Sequence, residues 1–195
     1  MSSERVGRRL ELLFGTLSSS AFLTNRGIGN EIGFYIFSYD PEFEPLVAGF
    51  VPRLKERLGQ AGVRVAEFNL YTLILDLLKE KGVLKDSFAL EAKKGVAGLE
   101  KALKKIVRPE GLVAQIEARL AEPHDLVFLT GVGAAYPLVR SHTVLNNLHP
   151  VIDKVPVVMF FPGSYDAQEL RLFNTLKDDN YYRAFPLLQE AVTSR

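Results

Sequence analysis

Leu126-Val127-Phe128-Leu129-Thr130-Gly131-Val132-Gly133 is a short apolar run that empties into a glycine-rich turn, and its reading decides the fold. A strand with one wet face alternates apolar and polar residues, whereas one covered on both faces is apolar throughout. Leu126 to Thr130 is of the second kind. Val157 to Phe161, closed by Pro162-Gly163, repeats the pattern downstream, and Phe34 to Tyr39 and Val63 to Phe68 supply two more strand candidates upstream. The spacers between them carry helical periodicity and are long enough for crossover helices. Leu46, Phe50, Leu54 and Leu58 recur every four residues behind Asp40-Pro41, with Pro52 expected to kink or divide that helix. Asn69 stands where it can cap a helix carrying Leu73, Leu77 and Leu78. A further helix is expected from about Pro137 to Asn147, with Leu138, Leu145 and Leu148 on one side. The prediction is an α/β fold: a mostly parallel sheet of about four core strands flanked by helices. Its topology would be Rossmann-like or P-loop-NTPase-like, without a Walker A motif.

Outward from these strands, Val6, Leu10, Leu13 and Leu17 predict an opening amphipathic helix, and Asn25 to Asn30 reads as a loop. The whole of residues 1–195 reads as a single α/β domain with a helical insertion around 84–120, broken at Gly95 and Pro109. Val96, Leu99, Leu103 and Ile106, then Leu112, Ile116 and Leu120, are its apolar stripes. Asp166 and Glu169 have the spacing of a capping box. The C-terminal part from Leu170 predicts a hairpin or an edge strand.

Lys and Arg number 24 against 23 for Asp and Glu, so no bulk charge draws the chain to nucleic acid. Direct DNA binding would need a local strip such as Lys93, Lys94, Lys101, Lys104 and Lys105, which Glu91 and Glu100 dilute. With no cysteine, disulfides, thiol catalysis and cysteine-based zinc sites are excluded. The first residues form no apolar signal-peptide core, and no run approaches the ~20 apolar residues of a membrane span. A cytoplasmic protein away from membranes is expected.

Open parallel sheets gather ligands beyond the carboxyl ends of their strands. That rule collects Asp40, Asn69, Thr130, Gly131, Gly133, Gly163 and Ser164 as a candidate phosphate or ligand site. Gly131-Val132-Gly133 would let a backbone approach a phosphate. A dinucleotide fingerprint, however, wants a small residue at Tyr136, and a Walker A loop wants Gly-Lys-Ser/Thr, which the chain lacks. A tight strand-to-helix turn is the favoured reading of these glycines. Asp40 stands where a carboxylate could hold a metal, but capping of the following helix is the favoured reading. Ser164 has Pro162 and Asp166 where a nucleophile elbow needs glycines, which favours a turn serine. His142 and His149 would stand about 10.5 Å apart along a helix, too far to share a zinc ion with bonds near ~2 Å. Neither metal nor cofactor is expected. Arg140, His142, Asn146 and Asn147 form polar helix surface suited to a partner. Tyr181, Tyr182 and Arg183, in the segment KDDNYYRAF, are residue types that anchor interfaces.

Several of these blocks together resemble the BrxB family of BREX (bacteriophage exclusion) defence systems. They are Leu129 to Gly133, Arg140-Ser141-His142, Val155 to Gly163 and Lys177 to Phe185, preceded by Gly29-Asn30-Glu31-Ile32-Gly33 and Phe37-Ser38-Tyr39-Asp40-Pro41. The resemblance spans about residues 29–187. It implies a small, non-catalytic component that associates with PglZ, an alkaline-phosphatase-like protein of the same system, and with other BREX components. It carries no catalytic residues. The expected function is to bind PglZ and help assemble or regulate the defence complex, against two alternatives: a nucleotide- or phosphate-binding regulatory subunit, and a DNA-contacting accessory protein.

Overall fold

The apolar runs form the middle of a mostly parallel sheet. In the computed structural model, which describes residues 3–24, 33–120, 122–152, 155–177 and 184–188, the strands are β1 (Phe34–Tyr39), β2 (Val65–Asn69), β3 (Leu126–Thr130), β4 (Val157–Tyr165), β5 (Leu170–Leu172), β6 (Leu176–Lys177) and β7 (Ala184–Pro186). Five lie side by side in the order β2-β3-β4-β1-β7, every neighbouring pair parallel. The end of β4 runs on past the sheet to pair antiparallel with β5, which pairs in turn with β6. The C-terminal part thus contributes both a hairpin and an edge strand. The Tyr165 hydroxyl ties the two together by donating to the Ala184 carbonyl at 2.8 Å.

The helices are α1 (Ser3–Leu17), α2 (Ser20–Leu23), α3 (Glu44–Gln60), α4 (Leu70–Glu80), α5 (Leu84–Leu103), α6 (Pro109–Arg119), α7 (Val132–Ala135) and α8 (Ser141–Leu148). Side chains alternate across a strand, so each central strand feeds two cores. Leu126, Phe128, Val158, Phe160, Phe37 and Tyr39 face α1 and α3, meeting Val6, Leu10, Leu13 and Leu17 of the first and Val47, Leu54 and Leu58 of the second. Val127, Leu129, Val157, Met159, Phe161, Phe34 and Ile36 face α4, α6, α7 and α8 on the other side. Cover on both faces is why these strands are apolar without alternation. Arg9 pins α1 down, donating to the Ser38 carbonyl at 2.8 Å while its guanidinium lies over the Phe37 ring.

Local expectations needed correcting at several points. Pro52 does not divide α3, which is one helix from Glu44 to Gln60. The expected helix from Pro137 to Asn147 is a single-turn α7, then an extended residue at Arg140, then α8 from Ser141. Asp166 accepts from the backbone N–H groups of Gln168 and Glu169, as a capping box would, but the chain proceeds into β5 and not into a helix. Gly95, at φ +68°, breaks the helical φ/ψ of α5 as expected. Val96 behind it turns outward, although Leu99, Leu103 and Ile106 of the same stripe pack on the core. Among the described residues no helix is long and apolar enough to cross a membrane.

Candidate functional site

The carboxyl ends of β1, β2 and β3 meet the start of α3 in a small cleft of about 90 Å³, lined among others by Tyr39, Glu44, Glu67, Asn69, Thr130, Gly131 and Phe160. Parallel register sets Asn69 beside Thr130, and Gly131 follows directly, so three of the predicted residues do come together. Asn69 caps α4: its Oδ1 accepts from the Thr72 N–H at 3.1 Å. The carboxamide then occupies the space a side chain at Gly131 would need; a Cβ there would clash with Oδ1 and lie 2.7 Å from Cγ. Gly131 also sits at φ +67°, a conformation that favours glycine. Thr130 donates to Glu67 Oε1 at 2.9 Å, and Lys55 reaches from α3 to Glu67 Oε2 at 2.8 Å. Tyr39 donates to Glu44 Oε2 at 2.6 Å. Burial first, then the Glu44 charge and this hydrogen bond, push the Tyr39 hydroxyl well above its ordinary pKa, so it stays a proton donor. The polar groups of this cleft are largely spoken for by one another. Sequence reasoning missed Glu67, Lys55 and Glu44, because nothing in local spacing shows that a strand carboxylate will face a lysine 12 residues away across a crossover.

Gly133 and Gly163 lie under the β5–β6 turn. Phe173 (φ +54°) and Asn174 (φ +61°) form its tip, and the Phe173 N–H donates to the Pro162 carbonyl at 2.8 Å. A Cβ on Gly133 would meet Phe173 Cε1 at 3.0 Å and Pro162 Cγ at 3.1 Å. One on Gly163 would drive into the Arg171 carbonyl of the paired strand. Each glycine therefore has a reason within the chain for lacking a side chain. Asp40 makes no capping bond; its Oδ1 accepts from Asn174 Nδ2 at 3.0 Å, across 134 residues of sequence. Capping, the favoured reading of Asp40, gives way to a tether for the hairpin tip. Ser164, read as a turn serine, is exposed within β4 and pairs with Arg171, and no helix follows it.

The α8 residues lie apart from the first cleft. Arg140 and Asn146 are exposed, His142 and Asn147 half-buried. His142 Nε2 lies 3.0 Å from Thr143 Oγ1, and Asn147 Nδ2 donates to the Thr143 carbonyl at 2.8 Å. Arg140 and Ser141 line a second cleft of about 210 Å³ with Tyr136, Leu172, Thr175, Leu176 and Lys177. Tyr181, Tyr182 and Arg183 lie outside the described residues, as does the predicted loop from Asn25 to Asn30. His149 stacks on Phe34 with ring centroids 4.8 Å apart. Among the described residues no three of His, Asp and Glu gather where they could hold a metal ion.

The least covered of the long helices is α5. Of its residues only Ser87 and Leu103 are buried, while Phe88 and Val96 remain 66% and 70% exposed. Lys93, Lys94, Lys101, Lys104 and Lys105 are exposed on and just beyond it, Lys104 pairing with Glu100 at 2.6 Å. Isolated exposed apolar residues are ordinary. A large aromatic and a β-branched residue exposed on a helix with so few buried residues suit a contact surface better than a core.

Comparison with known proteins places these features in a family context. A profile described as "BrxB: BREX protein BrxB" matches residues 66–187. The chain is similar to the BREX protein BrxB of Bacillus cereus (strain H3081.97), 46% identical over 190 residues, which cover 95% of this chain and 99% of that protein. It is also similar to the BREX protein BrxB of Escherichia coli O9:H4 (strain HS), 33% identical over 183 residues, covering 93% and 91% respectively. No solved structure gives a significant match.

Proposed function

The chain belongs to the BrxB family of BREX proteins, and from that premise we propose that it is a non-catalytic, partner-binding subunit of a phage-defence complex that docks the PglZ protein of the same system. The observation that carries the reading is the state of α5, a long helix of which only Ser87 and Leu103 are buried while Phe88 and Val96 stay exposed. Covering Phe88 and Val96 with a partner would recover roughly 1.5–3 kcal/mol for each fully buried side chain. The surroundings suggest the partner's character. From Leu84 to Arg108 the chain carries Lys85, Lys93, Lys94, Lys101, Lys104, Lys105 and Arg108 against Asp86, Glu91 and Glu100. An acidic surface with an apolar pocket complements that set. The polar α8 residues Arg140, His142, Asn146 and Asn147, with Tyr181, Tyr182 and Arg183, are a second proposed contact region. The absence of a complete catalytic motif in the sequence supports a binding role.

Co-purification of the full chain with the cognate PglZ tests the proposal. The parent is expected to be retained, and the double variant Phe88→Asp/Val96→Asp to be lost while its circular dichroism stays unchanged. Failure of the parent to bind PglZ would end the docking claim, and undiminished binding by the variant would remove α5 from it. Turnover of a substrate by the isolated chain at a defined pocket would end the non-catalytic reading. Capture of duplex DNA in a steeply salt-dependent manner, lost on replacing the α5 lysines, would favour the DNA-contacting alternative.

A further inference from the structure

Inside α5 the chain turns a sharp corner that no packing contact requires. Gly95 sits at φ +68°, ψ 179°, a conformation essentially confined to glycine, yet no neighbouring group lies within 4 Å of where its Cβ would be. Three residues on, a Cβ at Gly98 would stand 2.5 Å from Lys94 Cβ, so the two arms of the corner close up only because this position has no side chain. Each glycine weakens a helix relative to alanine, and α5 carries both within one turn. The corner also stands clear of the body. Glu91 to Ala97 are all exposed, and seven consecutive residues are nearly two helical turns, so no face of this stretch is packed against the described residues. We infer that the corner from Glu91 to Gly98 is a knob, with Val96 as its apolar tip, that enters an apolar recess with an acidic rim on the partner protein. This rests on the docking reading and narrows it from the length of α5 to the corner.

The chemistry of the corner sets that of its partner. Val96, at 70%, is the most exposed large apolar residue among those described, and Ala92 and Ala97 near it are exposed and small. A narrow apolar projection is covered best by a concavity. Around it stand Lys93, Lys94, Lys101, Lys104 and Lys105 against Glu91 and Glu100, an excess of three positive charges. Among the described residues only Lys104 of these lysines is ion-paired, to Glu100. Unpaired cations about an apolar tip are complemented by carboxylates about a socket. Duplex DNA would engage the lysines but leave Val96 and Phe88 without apolar cover, so a protein surface is the better match.

Binding of the cognate PglZ to the immobilised full-length chain tests the inference, with far-UV circular dichroism checking that each variant is folded. Val96→Ser should weaken the affinity by about tenfold, the equivalent of leaving one such side chain uncovered. Gly98→Ala, which forces the corner open, should weaken it by a similar factor while the rest of the chain stays folded. Lys94→Ala/Lys101→Ala should slow association and flatten its dependence on salt. Leu12→Ser, comparably exposed on α1, should change nothing. Unaltered affinity in Val96→Ser overturns the knob even if Gly98→Ala misfolds, because an exposed side chain can be trimmed without disturbing the core; docking through another surface would survive that result. A parent that fails to bind PglZ removes the docking reading and the knob together. Loss confined to the lysine variant, with steeply salt-dependent capture of duplex DNA by the parent, overturns the knob in favour of a nucleic-acid contact.

Discussion

Replacing Gly131 with alanine should destabilise the protein through two separable costs, and a double-mutant cycle with Asn69 can tell them apart. The first cost is conformational: at φ +67° an alanine pays about 1–2 kcal/mol that glycine does not. The second is steric. The new Cβ would clash with Asn69 Oδ1 and stand 2.9 Å from Nδ2, so the carboxamide must swing away. It then gives up the Thr72 N–H at the start of α4, a loss worth about 1 kcal/mol. Gly131→Ala should therefore cost about 2–3 kcal/mol, and Asn69→Ala alone about 1 kcal/mol. In the double variant the cap has already gone and the clash with it, so the total should again be about 2–3 kcal/mol. The cycle then shows a coupling of about 1 kcal/mol below additivity. Urea unfolding at pH 7, with midpoints compared at constant slope, measures all three variants. Strict additivity within about 0.3–0.5 kcal/mol would refute the claim that this glycine exists to make room for the α4 cap.

Gly163→Ala should be costly although its backbone is unstrained, because the added Cβ would enter the Arg171 carbonyl and lie 2.9 Å from Phe161 Cε1. A loss of about 1–3 kcal/mol is expected in urea unfolding, and a change below about 0.5 kcal/mol would show that the β4–β5 pairing gives way freely. At the opposite end of the sheet, Asp125 accepts from Arg64 Nε at 2.9 Å, Arg64 Nη2 at 2.7 Å and the Arg64 N–H at 2.9 Å, joining the entries of β2 and β3. The Arg64 side-chain bonds hold its carboxyl at about 2, below the ordinary value near ~4. A depressed carboxyl contributes stability that is complete above the unfolded value and lost as pH falls through the folded one. Solvent screening of this partly exposed pair limits Asp125→Asn to about 1 kcal/mol at pH 7. The gap to the parent should begin to narrow near pH 4 and close only once the pH falls below about 2, and a gap that does not narrow between about pH 4 and pH 2 would assign the effect to something other than this charge.

Much of the fold was legible because burial writes itself into composition. Phe34–Tyr39 and Leu126–Thr130 appear at their predicted bounds, and Val6, Leu10, Leu13 and Leu17 line the buried side of α1. Boundaries set by local chemistry were readable too: Asn69 caps α4, Pro109 opens α6 and Gly95 breaks α5. The candidate site was only partly legible. Asn69, Thr130 and Gly131 do share a cleft, while Arg140 lines another and Ser164 sits in a strand ladder. Asp40 looked like a cap because Asp-Pro is a local signal, but its partner Asn174 is distant in sequence.

The four central apolar strands and the α/β class thus follow from the amino-acid order alone, since periodicity and capping depend on neighbours a few positions apart. The strand order β2-β3-β4-β1-β7, the hairpin folded over Gly133 and Gly163, the Lys55-Glu67-Thr130 chain and the cleft at α8 needed the tertiary structure. The physical reason is range: a hydrogen bond or a close contact between groups on separate elements depends on how packing orients whole elements, and short-range sequence patterns do not encode that.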